Sequence, residues 1–285
     1  MKFNSARVLI LLIFITAFGL EWQALYSTAR RNPSMIIDSL NQRVILFGGT
    51  SCRLNNRYFN DVWEISLNNP NGYFWLPVSV SGTSPSGRAG PAAVYDQKYQ
   101  RMLIFGGDNG GGVYLNDVWA LNLTLGNERW ERLVPTGTPP PGRTIPYSIY
   151  HPTRHSLILF GGDIGGGQAG EDLWKLKLDS LVWRKLLVSP PKPARRSAGG
   201  AMFDRTNNRM IIFGGAGDYW YNEVWALDLT PGSEHWTQLN PTGSIRVPGQ
   251  ILLMVMTQRG TNFISLPVLI PTKCLMMFMS SIYQL

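Results

Sequence analysis

Arg101-Met-Leu-Ile-Phe-Gly-Gly107, followed by Asn116-Asp-Val-Trp119 and then Arg129-Trp130, is one copy of a pattern that the chain repeats. Phe-Gly-Gly recurs at Phe47-Gly48-Gly49, Phe105-Gly106-Gly107, Phe160-Gly161-Gly162 and Phe213-Gly214-Gly215, each time closing an apolar run. Successive phenylalanines lie 58, 55 and 53 residues apart. A period of roughly 50 residues is that of a four-stranded propeller blade. In the second copy, Arg88–Asp96, Arg101–Gly107, Asn116–Leu123 and Arg129–Val134 read as four short strands separated by turn signals. The second of them is continuously apolar, as for a strand covered on both faces, while the third and fourth alternate more and carry Trp119 and Trp130. The glycine pair ends a strand where positive φ costs glycine little.

The other copies keep this order. Asp61-Val62-Trp63, Asp117-Val118-Trp119, Asp172-Leu173-Trp174 and Glu223-Val224-Trp225 mark the third strand, and Trp75, Trp130, Trp183 and Trp236 the fourth. Together these motifs strongly resemble the kelch repeat family over about residues 21–246. The resemblance implies an all-β fold, a kelch-type β-propeller with four recognisable four-stranded blades plus an incomplete or disrupted further blade.

Composition agrees. Aromatic residues at 12%, 30 glycines and 19 prolines in 285 residues suit an all-β chain with many turns. The formal charge is +8, but the basic residues are scattered and form no polybasic run, so no nucleic-acid partner is expected. Residues 1–20 differ from the rest: Lys2 and Arg7 precede the apolar run Val8–Leu20, which is short for a transmembrane helix. This reads as a signal peptide with Ala17 and Gly19 at the cleavage site, or as an uncleaved N-terminal anchor. A secreted, periplasmic or cell-envelope location follows, with membrane contact only through an uncleaved leader. Cys52 and Cys274 are the only cysteines, so no disulfide framework is expected. Asn122-Leu-Thr124 is a glycosylation acceptor sequence, meaningful only in a eukaryotic secretory pathway.

Both ends of the repeat region are irregular. Arg30 lies 17 residues before Phe47, as Arg88, Arg143 and Arg196 lie before Phe105, Phe160 and Phe213, so the first blade has its inner strand. Glu21-Trp22-Gln-Ala-Leu25 then resembles an orphan outer strand of the kind that completes the last blade of a closed propeller. Matching inner strands are expected near the C-terminus, yet after Pro241-Thr-Gly243 the pattern breaks down, and residues 247–285 read as an aberrant tail. Shifting the reading frame near residues 247–250 permits Gly-Tyr-Asp-Pro-Thr-Arg-Asn, with tyrosine drawn from the codons of Val255-Met256; blade three has Ile149-Tyr-His-Pro-Thr-Arg-His155 at that place. The expectation is a frameshifted fifth blade. The competing reading is a genuine hydrophobic segment that docks on the ring or a membrane, and Pro267 and Pro271 argue against a spanning helix.

Recurrent polar residues point to structure and variable ones to function. Arg88, Arg143 and Arg196 open the inner strands, where a basic ring around the channel would meet an anion; their recurrence favours a structural role. Asp61, Asp117, Asp172 and Glu223 occupy one equivalent position in separate blades, so bonds to turn backbone are expected rather than a metal. The loops between second and third strands vary, and their candidates for ligand binding are Asp108, Asp163, Asp218, Tyr219, Trp220 and Tyr221. Aromatic faces beside a carboxylate suit a sugar or a peptide; packing against the blade edge is the alternative. Galactose oxidase resembles the chain in its kelch blades, and its copper site needs two histidines with tyrosines. His151, His155 and His235 do not read as a converging set, so no catalytic residue, metal or cofactor is assigned. The expected function is a non-catalytic extracytoplasmic scaffold for an unidentified protein or glycan ligand. The alternative is a kelch-type carbohydrate-active enzyme, sugar isomerase-like rather than galactose oxidase-like.

Overall fold

The computed structural model describes residues 30–51, 57–70 and 74–241, together with the backbone of two further strands, Leu252–Met256 and Phe263–Pro267. The leader, the orphan strand at residues 21–25, both cysteines and most of the tail lie outside the described residues.

Four antiparallel four-stranded sheets follow one another along the chain, each a simple meander. Blade 1 comprises Ser34–Asp38, Arg43–Phe47, Val62–Ser66 and Leu76–Pro77, and blade 2 comprises Ala92–Asp96, Arg101–Gly107, Leu115–Asn122 and Arg129–Leu133. Blade 3 runs through Tyr147–His151, Ser156–Phe160, Leu173–Lys177 and Val182–Leu186, and blade 4 through Gly200–Asp204, Arg209–Phe213, Val224–Asp228 and His235–Leu239. This is the expected all-β propeller. In blade 2 the third strand shifts by one residue and the fourth ends one residue sooner than expected, and one boundary differs by more: the inner strand begins at Ala92, four positions after Arg88, because Gly90 turns the chain with φ +62°.

The hairpin joining first and second strands is locally encoded. Asp38, Asp96 and Asp204 end the first strand and accept backbone N–H groups from the turn, at 3.2 Å from Asn41, 3.2 Å from Lys98 and 3.1 Å from Thr206. Five residues on, Arg43, Arg101 and Arg209 close the turn by pairing with the same carboxylates at 3.0, 2.8 and 2.8 Å. Blade 3 breaks this rule, having His151 and Ser156 at the two positions.

Packing runs from blade to blade. Inner strands stack in succession, first on second, second on third and third on fourth. At each junction the phenylalanine of Phe-Gly-Gly meets the outer-strand tryptophan of the next blade: Phe47 with Trp130 at 4.9 Å, Phe105 with Trp183 at 5.2 Å and Phe160 with Trp236 at 5.0 Å. All three phenylalanines are fully buried. Such a tilted or edge-on pair is worth roughly 0.5–1.5 kcal/mol beyond the area it buries. A second seam runs through backbone alone. Gly90 donates to Asn32 O at 2.7 Å, Ile145 to Gly90 O at 2.6 Å and Ala198 to Ile145 O at 3.0 Å. Asn32, Gly90, Ile145 and Ala198 all adopt positive φ, and Ile145, at 45°, is β-branched and strained there.

Candidate functional site

The recurrent arginines are consumed inside the blades. Arg88 donates to Gly106 O at 2.9 Å and, in a fork, to the two oxygens of Asp117 at 2.6 and 3.0 Å; Trp119 Nε1 donates to that carboxylate at 2.7 Å. Arg143 repeats the unit with Gly161 O, Asp172 and Trp174, and Arg30 repeats it with Gly48 O, Asp61 and Trp63. Blade 4 uses Glu223, to which Arg196 makes a single bond at 2.8 Å. Burial pushes the Asp117 carboxyl up, but the Arg88 guanidinium and the Trp119 indole outweigh it and hold the group below the usual carboxylate range. These guanidiniums are buried and paired, the structural role that their recurrence favours, and Arg88, Arg143 and Arg196 form no basic ring open to an anion. The acids, expected to bond turn backbone, instead bind arginine and tryptophan side chains.

The arginine carbonyls face the preceding blade. Gly49, Gly107 and Gly162 donate to the carbonyls of Arg88, Arg143 and Arg196 at 2.8, 2.8 and 2.9 Å. The glycine before each is needed for this approach: a Cβ on Gly106, at φ +72°, would sit 2.6 Å from Arg143 O. The repeat is therefore a device for joining blades.

The loops between second and third strands form one rim. Asp108 accepts the Tyr58 hydroxyl of blade 1 at 2.9 Å and the Gly110 N–H at 2.8 Å. Asp163 accepts the Tyr114 hydroxyl of blade 2 at 3.1 Å and the Gly165 N–H at 2.9 Å. Both acids thus bind across a blade junction. Burial and the neighbouring carboxylates push the Tyr58 and Tyr114 phenols up to about 12, so both keep their protons at neutral pH. Asp218 is exposed and paired with Arg195 at 3.1 Å. Tyr221 is buried, with the Arg196 guanidinium 4.0 Å over its ring, as Arg30 lies 4.3 Å over Phe59. Tyr219 and Trp220 remain 64% and 50% exposed, and Val113, at the tip of the blade 2 loop, 76%. The structure brings Asp218, Tyr219, Trp220 and Tyr221 together and places Asp108 and Asp163 in neighbouring loops. Tyr58 and Tyr114 were missed in the sequence, although each directly precedes the residue whose carbonyl takes the next arginine's N–H, Phe59 for Arg88 and Leu115 for Arg143.

The opposite rim carries the histidines. His155 lies between Asp96, at 2.9 Å from Nε2, and Asp179, at 2.7 Å from Nδ1, which ties blade 2 to blade 3. His151 is buried against Phe203, 4.8 Å between ring centres, with the Asn208 side chain beside it and no short hydrogen bond to either ring nitrogen. Burial, aided by the Arg154 charge, pushes it down to about 4. His235 is exposed. Among the described residues no group of three His, Cys, Asp or Glu side chains is placed to hold a metal ion.

A family model described as the KLHDC2/KLHL20/DRC7 Kelch-repeats domain matches residues 36–264. Relatives include the host cell factor homolog hcf-1 of Caenorhabditis elegans, 28% identical over 75% of this chain and 31% of that protein. An F-box/kelch-repeat protein of Arabidopsis thaliana is 29% identical over 71% of this chain and 43% of its own length. The chain therefore spans less than half the length of these relatives. The solved structure of YjhT superposes with a TM-score of 0.59 at 14% identity, covering 81% of this chain and 70% of that one, a likeness of fold.

Proposed function

The chain belongs to the kelch-repeat family, and from that premise we propose that it is a non-catalytic scaffold presenting its second-to-third-strand loops to a protein or glycan ligand outside the cytoplasm. Kelch propellers are protein-binding scaffolds in general. The observation that carries the reading here is the division of labour within each repeat: recurrent polar groups are spent inside the blades and on their junctions, while the loop tips leave Val113, Tyr219 and Trp220 in solvent. Large exposed side chains on loops held by a packed scaffold are where such a protein makes contact. The extracytoplasmic location is supported by Lys2, Arg7 and the apolar run Val8–Leu20.

The test is a pull-down and a glycan array with the full chain beside Tyr219→Ala and Val113→Asp. Loss of at least tenfold in affinity with unchanged folding supports the rim, and unchanged affinity in both variants rejects it. Turnover of a free sugar by the wild-type chain overturns the non-catalytic reading. N-terminal sequencing of the exported protein checks the leader, with cleavage after Gly19 expected and retention in the cytoplasm opposing it.

A further inference from the structure

The lateral face of blade 4 repeats the chemistry with which blades 1 to 3 each receive their successor. Three faces supply a buried phenylalanine for a tryptophan, a glycine N–H for an arginine carbonyl, and a carbonyl after the arginine for the next N–H. The first two also supply a carboxylate for a tyrosine of the next inner strand, Asp38 for Tyr95 and Asp96 for Tyr150. Blade 4 has the same set in Phe213, Gly215, Ala198 and Asp204. Among the described residues Phe213 meets no tryptophan and is only half-buried, whereas Phe47, Phe105 and Phe160 are fully buried. Trp220, immediately before Tyr221, holds the place of Tyr58 before Phe59 and Tyr114 before Leu115, the residues that reach across to the next blade.

We propose that this face is the seat of a fifth blade begun by the chain's own hairpin, Leu252–Met256 paired with Phe263–Pro267. Its spacing fits: inner strands start at Ser34, Ala92, Tyr147 and Gly200, and the hairpin starts at Leu252, so intervals of 58, 55 and 53 continue with 52. Its strand order matches, an inner strand paired antiparallel with the next. There Leu252 pairs with Pro267 and Met256 with Phe263, where Gly200 pairs with Phe213 and Asp204 with Arg209, so the hairpin keeps the antiparallel pairing with a turn two residues longer. Pro241-Thr-Gly243 leads out of blade 4 as Pro135-Thr-Gly137 leads out of blade 2, and the kelch match continues to residue 264. One element is missing. The fourth position of the inner strand is Tyr95 in blade 2 and Tyr150 in blade 3, but Val255 in the hairpin, so Asp204 lacks its phenol. Tyrosine is also what the shifted frame permits there.

The seat assigns Trp220 to a blade junction and is independent of the ligand reading carried by Tyr219 and Val113. It is tested in the full chain by Val255→Tyr, with and without Asp204→Asn. Val255→Tyr is expected to raise the unfolding midpoint by about 2–4 °C, the effect of one added hydrogen bond, and to slow hydrogen exchange in the peptide spanning residues 213–221. The gain is expected to vanish in the Asp204→Asn background. No gain, or a gain that survives Asp204→Asn, overturns the proposal. So does slowed exchange that appears only where sedimentation shows dimers, since a second copy then covers the face.

Discussion

Gly106→Ala isolates the close approach of one blade to the next. At φ +72° any side chain costs about 1–2 kcal/mol from left-handed strain alone. The added Cβ would also stand 2.6 Å from Arg143 O and 2.9 Å from Leu115 O, both backbone atoms that cannot swing aside. Relief requires blade 3 to move back, which stretches the 2.8 Å bond from Gly107 N–H to Arg143 O and loosens the contact of Phe105 with Trp183. Overpacking of this kind costs about 1–3 kcal/mol and the lost hydrogen bond about 1 kcal/mol more. Gly112→Ala is the control: its φ is +78°, and nothing lies within 4 Å of a Cβ there. Backbone strain is common to both, so the difference, about 2–4 kcal/mol, belongs to the crowding at Gly106, whose tightest contact is Arg143 O of the next blade. Urea unfolding of the full chain, followed by tryptophan fluorescence, measures it. Equal losses in the two variants would refute the assignment of the glycine pair to blade packing.

Arg143→Ala strips Asp172 of both forked bonds, at 2.7 and 2.8 Å, and is expected to cost about 3–5 kcal/mol, against about 1–3 kcal/mol for Asp172→Asn; urea midpoints check the order. Ile145→Gly removes a β-branched side chain from φ 45° and is expected to cost less than 1 kcal/mol or to stabilise, in contrast to ordinary Ile→Gly changes, as read by thermal melting. His151 is pushed down from 6.5 to about 4 in the folded chain, so its neutral form is the folded one. Stability is then full above pH 6.5 and falls as the unfolded chain takes up the proton, with a loss of about 3 kcal/mol complete below pH 4. His151→Phe is expected to flatten the melting temperature between pH 6.5 and 4.5, and an unchanged slope contradicts the assignment. Below that window the arginine-paired carboxylates of Asp61, Asp117, Asp172 and Glu223, all held low, add their own loss as they protonate.

The fold was legible because its code is local and repeated. Phe-Gly-Gly, the acid two residues before tryptophan, and the spacing of Arg88 to Phe105 each mark a fixed place in a blade, and four copies average out the variation. The partners of those residues were not legible. Arg88 and Asp117 lie 29 residues apart, and nothing in the periodicity says that a residue before the inner strand and one near the start of the third share a fork. Asp108 and Asp163 looked like ligand groups because their loops vary, yet each is bound by a tyrosine 50 or 49 residues earlier, in another blade. Tyr221 was grouped with its exposed neighbours for the same reason. Its burial follows from Arg196 beneath it, a contact set by the turn geometry rather than by sequence distance. His151 was weighed only as a metal ligand, and Phe203 not at all, although they replace an aspartate and a tyrosine together, the trace of one rebuilt junction.

Amide hydrogen exchange on the full chain tests most directly whether the repeat exists to join blades. Gly107 and Gly162, which donate to Arg143 and Arg196, and Gly90, Ile145 and Ala198, which form the backbone seam, are predicted to exchange only through global unfolding. The loop tips at residues 110–113 and 164–168 are predicted to exchange orders of magnitude faster. Fast exchange at Gly107 and Gly162, on the timescale of those loop tips, would contradict the account.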